Sequence, residues 1–185
     1  MVKDLLKNGE EKMKSVISST KKAFAGIRTG RANPSLLDRI HVDYYGTQTP
    51  LTQMANISAP EARLLLIQPW DKSVIKSVEK AIQTSDLGLV PNNDGSVIRI
   101  AIPQLTEERR KELVKVMKRE AEERRVAVRN VRRDLNDEAK SMEKAGDISE
   151  DELRRALDDI QELTNDYIAK IDELAEQKEQ EILEV

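Results

Sequence analysis

Val114, Ala121, Val128, Leu135 and Met142 stand seven residues apart, with Leu113, Met117 and Val131 beside them. An apolar repeat of that period and length forms a coiled-coil-like seam, and it commits the chain to a long helix that buries one narrow stripe against other helices. Two further stretches carry the same period. Leu6, Met13, Thr20 and Ile27 repeat by seven, flanked by Val16, Ile17, Ala23 and Phe24, which predicts a first helix ending near Thr29-Gly30. Leu153, Ile160, Tyr167 and Leu174 do the same beside Leu157, Leu163, Ile168, Ile171, Ala175 and Ile182.

The ends of these helices are written locally. Thr106 followed by Glu107 and Glu108 starts the second helix, because the hydroxyl accepts a free backbone N–H and the acids face the positive end of the dipole. Gly146 stops it, and Ser149 to Glu152 spells a capping box for the third. At 1.5 Å per residue the second helix is roughly 60 Å long and the third roughly 50 Å. Three such helices make an elongated antiparallel bundle, and a thin bundle has much surface for its core. That accounts for a chain in which 35% of residues are charged and only 38% are hydrophobic.

Between Gly30 and Pro103 the texture changes to period-two runs punctuated by Pro34, Pro50, Pro60, Pro69 and Pro91. Ile40, Val42 and Tyr44 alternate with polar residues, as do Ile98, Ile100 and Ile102, and Leu64 to Ile67 is a short apolar run, so strands are expected there. Ser73 to Ile82 has helical spacing, and Pro91 to Gly95 reads as a turn. The fold class is α+β: residues 1–29 and 105–185 form the three-helix bundle, and residues 31–103 are an inserted small α+β domain. Two short crossings join them, 29–31 (Thr29, Gly30, Arg31) and 103–105 (Pro103, Gln104, Leu105). Glycine gives latitude to one crossing and proline stiffens the other, as in a two-stranded hinge.

Enzyme chemistry finds little footing. With no cysteine there is no disulfide framework, thiolate nucleophile or cysteine zinc site. The one histidine, His41, alternates onto the face of Asp43 and away from Val42, which makes it an exposed strand residue. No glycine loop ends in Gly-Lys-Ser/Thr, and Asn93-Asp94-Gly95 lacks the spaced carboxylates of a calcium loop. The carboxylate runs at 150–152, 158–159 and 179–184 lie on helix faces in a charged rod, where solvation is the expected role. No catalytic residue, metal or cofactor is expected. A hydrolase would need a carboxylate pair in a pocket, and only exposed runs are present. The longest apolar run, Leu64 to Ile67, is far too short to cross a bilayer, and the acidic N-terminal segment does not read as an export signal, so a cytoplasmic location is expected.

The net charge of −3 conceals a separation: from Leu105 to Arg133 there are 11 basic and 6 acidic residues, and from Asp134 to Val185 there are 6 and 18. Lys111, Lys115, Lys118, Glu122, Arg125, Arg129 and Arg132 follow one another at alternating steps of four and three, a single stripe down the second helix, offset from the apolar seam. Arg109, Arg110, Arg119, Arg124 and Arg133 add charge nearby. The bland alternative is pairing with Glu108, Glu120, Glu122, Glu123 and the acidic third helix. The sharper reading is phosphate contact from an exposed flank, since arginine forks suit phosphate and binding follows the local field of a patch. The five aromatic residues, Phe24, Tyr44, Tyr45, Trp70 and Tyr167, are too few to stack successive unpaired bases, so folded RNA read by shape is the better fit. The rival class is a coiled-coil-like interaction module whose basic face docks protein and no RNA.

Several long segments carry a resemblance. Ile27-Arg-Thr-Gly-Arg-Ala-Asn-Pro-Ser-Leu36, Tyr44-Tyr-Gly-Thr-Gln-Thr-Pro-Leu51, Glu79-Lys-Ala-Ile-Gln-Thr-Ser-Asp-Leu-Gly88, Leu105-Thr-Glu-Glu-Arg-Arg-Lys-Glu112 and Glu123-Arg-Arg-Val-Ala-Val-Arg-Asn-Val-Arg-Arg-Asp134 resemble the bacterial ribosome-recycling factor family, and the likeness runs from end to end. The resemblance implies an L-shaped, tRNA-sized molecule with a three-helix bundle and an inserted β/α/β domain. It implies binding to large-subunit rRNA of the terminated ribosome and, with elongation factor G and GTP, separation of the subunits, with no covalent reaction, no membrane and no small-molecule substrate. Carried over, Arg132 is the first rRNA contact and Arg129 the second, with Arg110 at the start of the same helix and Arg28 and Arg31 in the hinge-proximal motif. Arg125, Lys118, Lys115 and Lys111 complete the set through the stripe. A monomer is expected.

Overall fold

The structure is a computed structural model that describes residues 1–184. Its elements in chain order are α1 (Val2–Ala25), β1 (His41–Tyr44), β2 (Thr47–Pro50), β3 (Ala55–Glu61), β4 (Leu64–Pro69), α2 (Ile75–Gln83), β5 (Pro91–Asn93), β6 (Ile98–Ala101), α3 (Glu107–Lys144) and α4 (Glu150–Leu183), with short 3-10 turns at Pro34–Leu37, Leu51–Gln53 and Lys72–Val74. The chain divides into two compact units, residues 1–27 with 111–180, and residues 28–110 with 181–185. It is a mixed structure: long helices packed together, plus a small antiparallel sheet domain.

The helical unit is built from α1, α3 and α4. Helix α1 stops at Ala25, four residues before the expected end. Gly26 is a poor helix residue, and the chain leaves through a tight turn, Ile27 N–H to Phe24 O at 3.0 Å, which folds Ile27 back into burial. Helix α3 begins where Thr106 Oγ1 accepts the N–H of Arg109 at 3.1 Å. It ends where Gly146, at φ +79°, lets Gly146 and Asp147 donate back to Glu143 and Met142. Ser149 caps α4: its Oγ accepts the N–H of Glu152 at 3.1 Å and its hydroxyl donates to Glu152 Oε1 at 3.3 Å.

The buried line of α3 is Leu113, Met117, Ala121, Val128, Leu135 and Ala139, while Val114 and Met142, the ends of the expected seam, are half-buried. A straight helix drifts by ~20° per heptad against a strict seven-residue repeat. The two ends of a seven-residue ladder therefore swing to opposite sides, and neighbours one or three positions away take over the burial. Helix α1 contributes Leu5, Gly9, Met13, Thr20 and Phe24, and α4 contributes Ala156, Ile160, Thr164, Tyr167, Ile171 and Ala175. The buried threonines of α1 and α4 satisfy their hydroxyls through the preceding turn, Thr20 donating to Val16 O and Thr164 to Ile160 O, each at 2.7 Å. Tyr167 Oη donates to Glu10 Oε1 at 3.1 Å, tying α4 to α1, and burial followed by that carboxylate raises the tyrosine pKa.

In the second unit four strands run antiparallel in the order β3-β4-β6-β5, and β1 and β2 form a separate hairpin. Tyr45 and Gly46, both at positive φ, make the two-residue turn of that hairpin. Register pairs Leu65 with Ile100 and Ile67 with Ile98, and all four are fully buried together with Val78 and Ile82 of α2. Asp71 caps the turn leading into α2, accepting from Ser73 N–H at 3.0 Å. His41 and Asp43 are exposed on β1 and Val42 is buried, as alternation predicts.

Pro91 to Asn93, expected as part of a turn, is instead an edge strand paired with β6, Pro91 opposite Ile100 and Asn93 opposite Ile98. Proline is compatible with the first position of an edge strand, where its missing donor faces no partner. The turn proper is Asp94 to Val97. The Asp94 carboxylate accepts from the N–H of Ser96 and Val97, each at 2.9 Å, and from Arg99 Nη1 at 2.7 Å. The backbone donors first, then Arg99, hold its pKa well below the usual carboxylate range. A group depressed in the folded state stabilises above its unfolded pKa and loses that contribution as pH falls. Asp94→Ala is therefore expected to lower the melting temperature at neutral pH. The gap between wild type and variant should shrink steadily as pH drops below about 4, where the unfolded aspartate titrates; thermal scans across that range check it.

Candidate nucleic-acid interface

The stripe lies entirely on α3, a single helix of 38 residues. Lys111, Lys115, Lys118, Arg125, Arg129 and Arg132 belong to the helical unit, and Arg28, Arg31 and Arg110 to the other. Within the helical unit the structure corrects the expectation of a wholly exposed flank. Arg125 and Arg132 are half-buried along the boundary with α4, and the side chain of Arg125 keeps only 24% of its exposure. The cause is angular: positions 125 and 132 sit about 40–60° from the buried line at 100° per residue, within reach of the neighbouring helix. Arg129 is half-buried as well but its side chain keeps 42% exposure, and Lys115 is exposed.

The partners of each cation follow from that geometry. Arg125 donates Nε to Asp172 Oδ1 of α4 at 2.7 Å and Nη1 to Glu122 Oε2 at 3.1 Å. Burial works against its charge, but these two carboxylates more than offset it and raise the guanidinium pKa. Arg129 Nη1 donates to Glu122 Oε1 at 3.1 Å, so one carboxylate bridges two arginines. The hydrogen bonds from Arg129 and then Arg125 hold Glu122 below the usual carboxylate range. Lys118 Nζ lies 3.8 Å from Glu179 Oε1. Arg132 differs: its Nη1 donates to the amide oxygen of Gln161 at 3.1 Å, and among the described residues no carboxylate pairs with it. Its Nε is buried with no hydrogen-bond partner among the described residues. Lys115, Arg119 and Arg133 are exposed and have no ion-pair partner among the described residues.

Beside this line Met117, Ala121 and Ala175 floor a groove of about 370 Å³, rimmed by Lys118, Glu122, Arg125, Asp172, Glu176 and Glu179. Pairing with the acidic third helix, the bland alternative at the sequence level, is therefore real for Lys118 and Arg125. Surface pairs of this kind are weak and exchangeable, so they orient the cations without removing them from a stronger anion. Gln161, Asn165 and Asp172 were not singled out from sequence. The only signal was the acidic, amide-bearing face of the third helix, whose rotation against α3 is not encoded in either helix alone.

In the sheet unit, Arg28 Nη1 donates to Leu87 O at 3.2 Å, and Arg31 pairs with Glu184 at 3.4 Å. Arg110 is half-buried, and its Nε has no hydrogen-bond partner among the described residues. Gly30 has no left-handed φ, and a Cβ there would meet Leu105 at 3.9 Å, an ordinary contact, so neither backbone nor space demands glycine at this position. Ala32 N–H donates to Ala62 O at 2.6 Å and Ile102 N–H to Arg63 O at 2.8 Å, so both crossing segments are tied to the β3–β4 turn. Among the described residues no group of three or more metal-ligating side chains is assembled, and no helix is long and apolar enough to cross a membrane.

Comparison with known proteins covers the chain from end to end. The profile described as "Ribosome recycling factor" matches residues 20–183. The ribosome-recycling factors of Halothermothrix orenii (strain H 168), Geobacillus sp. (strain WCH70) and Bacillus subtilis (strain 168) are 62%, 60% and 58% identical over 185 residues, covering 100% of both chains in each case. A solution structure of the ribosome recycling factor is 44% identical with a TM-score of 0.79, covering 100% of this chain and 98% of that one. Another similar structure, at 49% identity and TM-score 0.69 over 99% of each chain, is described as the Thermus thermophilus ribosome recycling factor with Escherichia coli elongation factor G bound to the E. coli post-termination complex. With a family profile over most of its length and full-length relatives at about three-fifths identity, the chain belongs to the ribosome recycling factor family.

Proposed function

We propose that this chain recycles ribosomes after translation termination. In this reading it binds the post-termination ribosome through large-subunit rRNA and, with elongation factor G and GTP, promotes separation into subunits. The observation that carries the proposal is full-length identity of 58–62% to factors named for that activity, together with a structural neighbour described in a post-termination complex with elongation factor G. The stripe supplies the physical means. Arg132, Arg129, Arg125, Lys118, Lys115 and Lys111 on one rigid helix present cations at regular intervals to a phosphate backbone, and Arg110, Arg28 and Arg31 add contacts from the sheet unit. The factor works as a cytoplasmic monomer and supplies no covalent chemistry; the energy comes from GTP hydrolysis by its partner.

The bodies that move are residues 1–29 with 105–185, and residues 31–103, turning about Thr29 to Arg31 and Pro103 to Leu105. The hydrogen bonds of Ala32 and Ile102 to the β3–β4 turn support this placement, because they anchor both crossings just inside the sheet unit and leave the proposed hinge residues outside the anchor.

Light scattering of post-termination ribosomes tests the function. Scattering is expected to fall when the chain, elongation factor G and GTP are all present and to stay constant when any one is omitted. Constant scattering with all three would overturn the reading. Salt-insensitive co-sedimentation with ribosomes would favour the protein-docking alternative, since phosphate contact makes affinity fall steeply with salt.

A further inference from the structure

Three arginines stand close together on the α4 side of α3, and they are held in two chemically different ways. Arg125 and Arg129 are held by carboxylates, Asp172 and Glu122, each of which cancels charge as it orients the guanidinium. Arg132 is held by an amide. Its Nη1 donates to Gln161 Oε1 at 3.1 Å, its Nε is buried along the helix, and Nη2 has no partner among the described residues. The guanidinium is thus held by a hydrogen bond at one of its three nitrogens, with Nε shielded from solvent and Nη2 open. The amide is itself oriented: Gln161 Nε2 donates to Asn165 Oδ1 at 2.9 Å, one turn further along α4. With its NH₂ group engaged by Asn165, Gln161 turns its oxygen toward Arg132, the only face that arginine can use.

We infer that Gln161, oriented by Asn165, is a positioning residue for Arg132: it holds the guanidinium in place for a phosphate while leaving its charge intact. This rests on the reading that the stripe meets rRNA. The physical case is that a free arginine gives up much rotamer freedom when it binds, and an acceptor that restrains it beforehand removes part of that loss. A carboxylate would restrain it equally well but would neutralise it and repel the incoming phosphate. A neutral acceptor does the first without the second.

The test is binding of full-length variants to 50S subunits across a salt series. Gln161 and Asn165 are exposed, so the substitutions leave the core untouched, and melting temperatures verify this. Gln161→Glu keeps an acceptor and adds a charge; affinity is expected to fall about tenfold, with the log-log salt slope shortened by roughly 0.7–0.9, the value of one phosphate contact. Gln161→Ala releases Arg132 without neutralising it; affinity is expected to fall about threefold with the slope unchanged. Asn165→Ala should act in the same direction as Gln161→Ala and add nothing to it, because it works through the amide. In an Arg132→Ala background Gln161→Ala should have no further effect.

Wild-type affinity in both Gln161 variants, alongside weakened binding by Arg132→Ala, would overturn the positioning role and leave the stripe reading standing. Wild-type affinity in Arg132→Ala itself would overturn both. An equal slope in the Glu and Ala variants would also overturn it, because the charge of the acceptor would then be irrelevant.

Discussion

Replacing Arg129 and Arg132 together by alanine is expected to weaken ribosome binding by roughly a hundredfold at physiological salt and to shorten the salt slope by roughly 1.4–1.8. The slope follows from two lost phosphate contacts, each releasing somewhat less than one counterion. The affinity follows from two charge-assisted hydrogen bonds, which are the stronger class. The two residues should not contribute equally. Arg129 already shares the Glu122 carboxylate with Arg125, so a phosphate must compete for it, whereas Arg132 faces a neutral amide. Arg132→Ala alone should account for the larger part. Helicity should be unchanged, because both side chains project from a helix whose buried line is Leu113 to Ala139. Filter binding or co-sedimentation over a range of salt, with circular dichroism as the control, measures all of this. An unchanged slope in the double variant would place the phosphate contacts elsewhere.

The second large effect lies in the core. Gly9 is buried in the middle of α1, and a Cβ built on it would fall inside the side chain of Leu135 on α3, with Cδ2 at 2.8 Å and Cγ at 3.1 Å. Leu135 is only 3% exposed, so it cannot swing aside without displacing its own neighbours. Two opposing terms decide the sign for Gly9→Ala. The helix gains about 1 kcal/mol in propensity, and overpacking a core costs about 1–3 kcal/mol. A net loss of about 1 kcal/mol is expected for alanine. Gly9→Leu, with a whole side chain to accommodate, should prevent α1 from docking. The diagnostic variant is the double one. Leu135→Ala alone opens a cavity and should cost about 2–5 kcal/mol. Added to Gly9→Ala, it should cost clearly less than the sum, since the new methyl occupies space the leucine vacated. Urea unfolding of the four proteins gives the coupling, and strict additivity would show that the two residues do not share space.

Features encoded by neighbouring residues were legible before the structure. Thr106, Gly146 and Ser149 to Glu152 end their helices where expected, because a cap is a matter of three or four residues and a local hydrogen bond. The strands at Ile40 to Tyr44 and Ile98 to Ile102 were legible because one face of each is apolar, and Leu64 to Ile67 because it is a short unbroken apolar run. Features decided by distant residues were not. Pro91 to Asn93 is a strand only because β6 lies beside it, and Thr47 to Pro50 holds no fully buried residue while most of Ala55 to Glu61 is exposed, so no buried face marks them. The stripe shows the same division. Its line down α3 is arithmetic on one helix, whereas the identity of the residue facing each cation depends on how α4 is rotated. Arg125 meeting an acid and Arg132 meeting an amide are therefore facts of packing.

The helical unit is assembled from pieces far apart in the chain, residues 1–27 and residues 111–180. During synthesis α1 leaves the ribosome first, carrying an apolar face of Leu5, Met13 and Phe24 with nothing to cover it. All of residues 28–110 must be made before the first partner helix begins to emerge. At about 5–20 residues per second that is a wait of several seconds, ample for the sheet unit, whose strands all lie within that interval, to form on its own. The order of translation thus makes α1 the last part of the amino-terminal half to find its place. The glycine at position 9, which lets α3 approach closely, has to be met by a helix that arrives long after it was made.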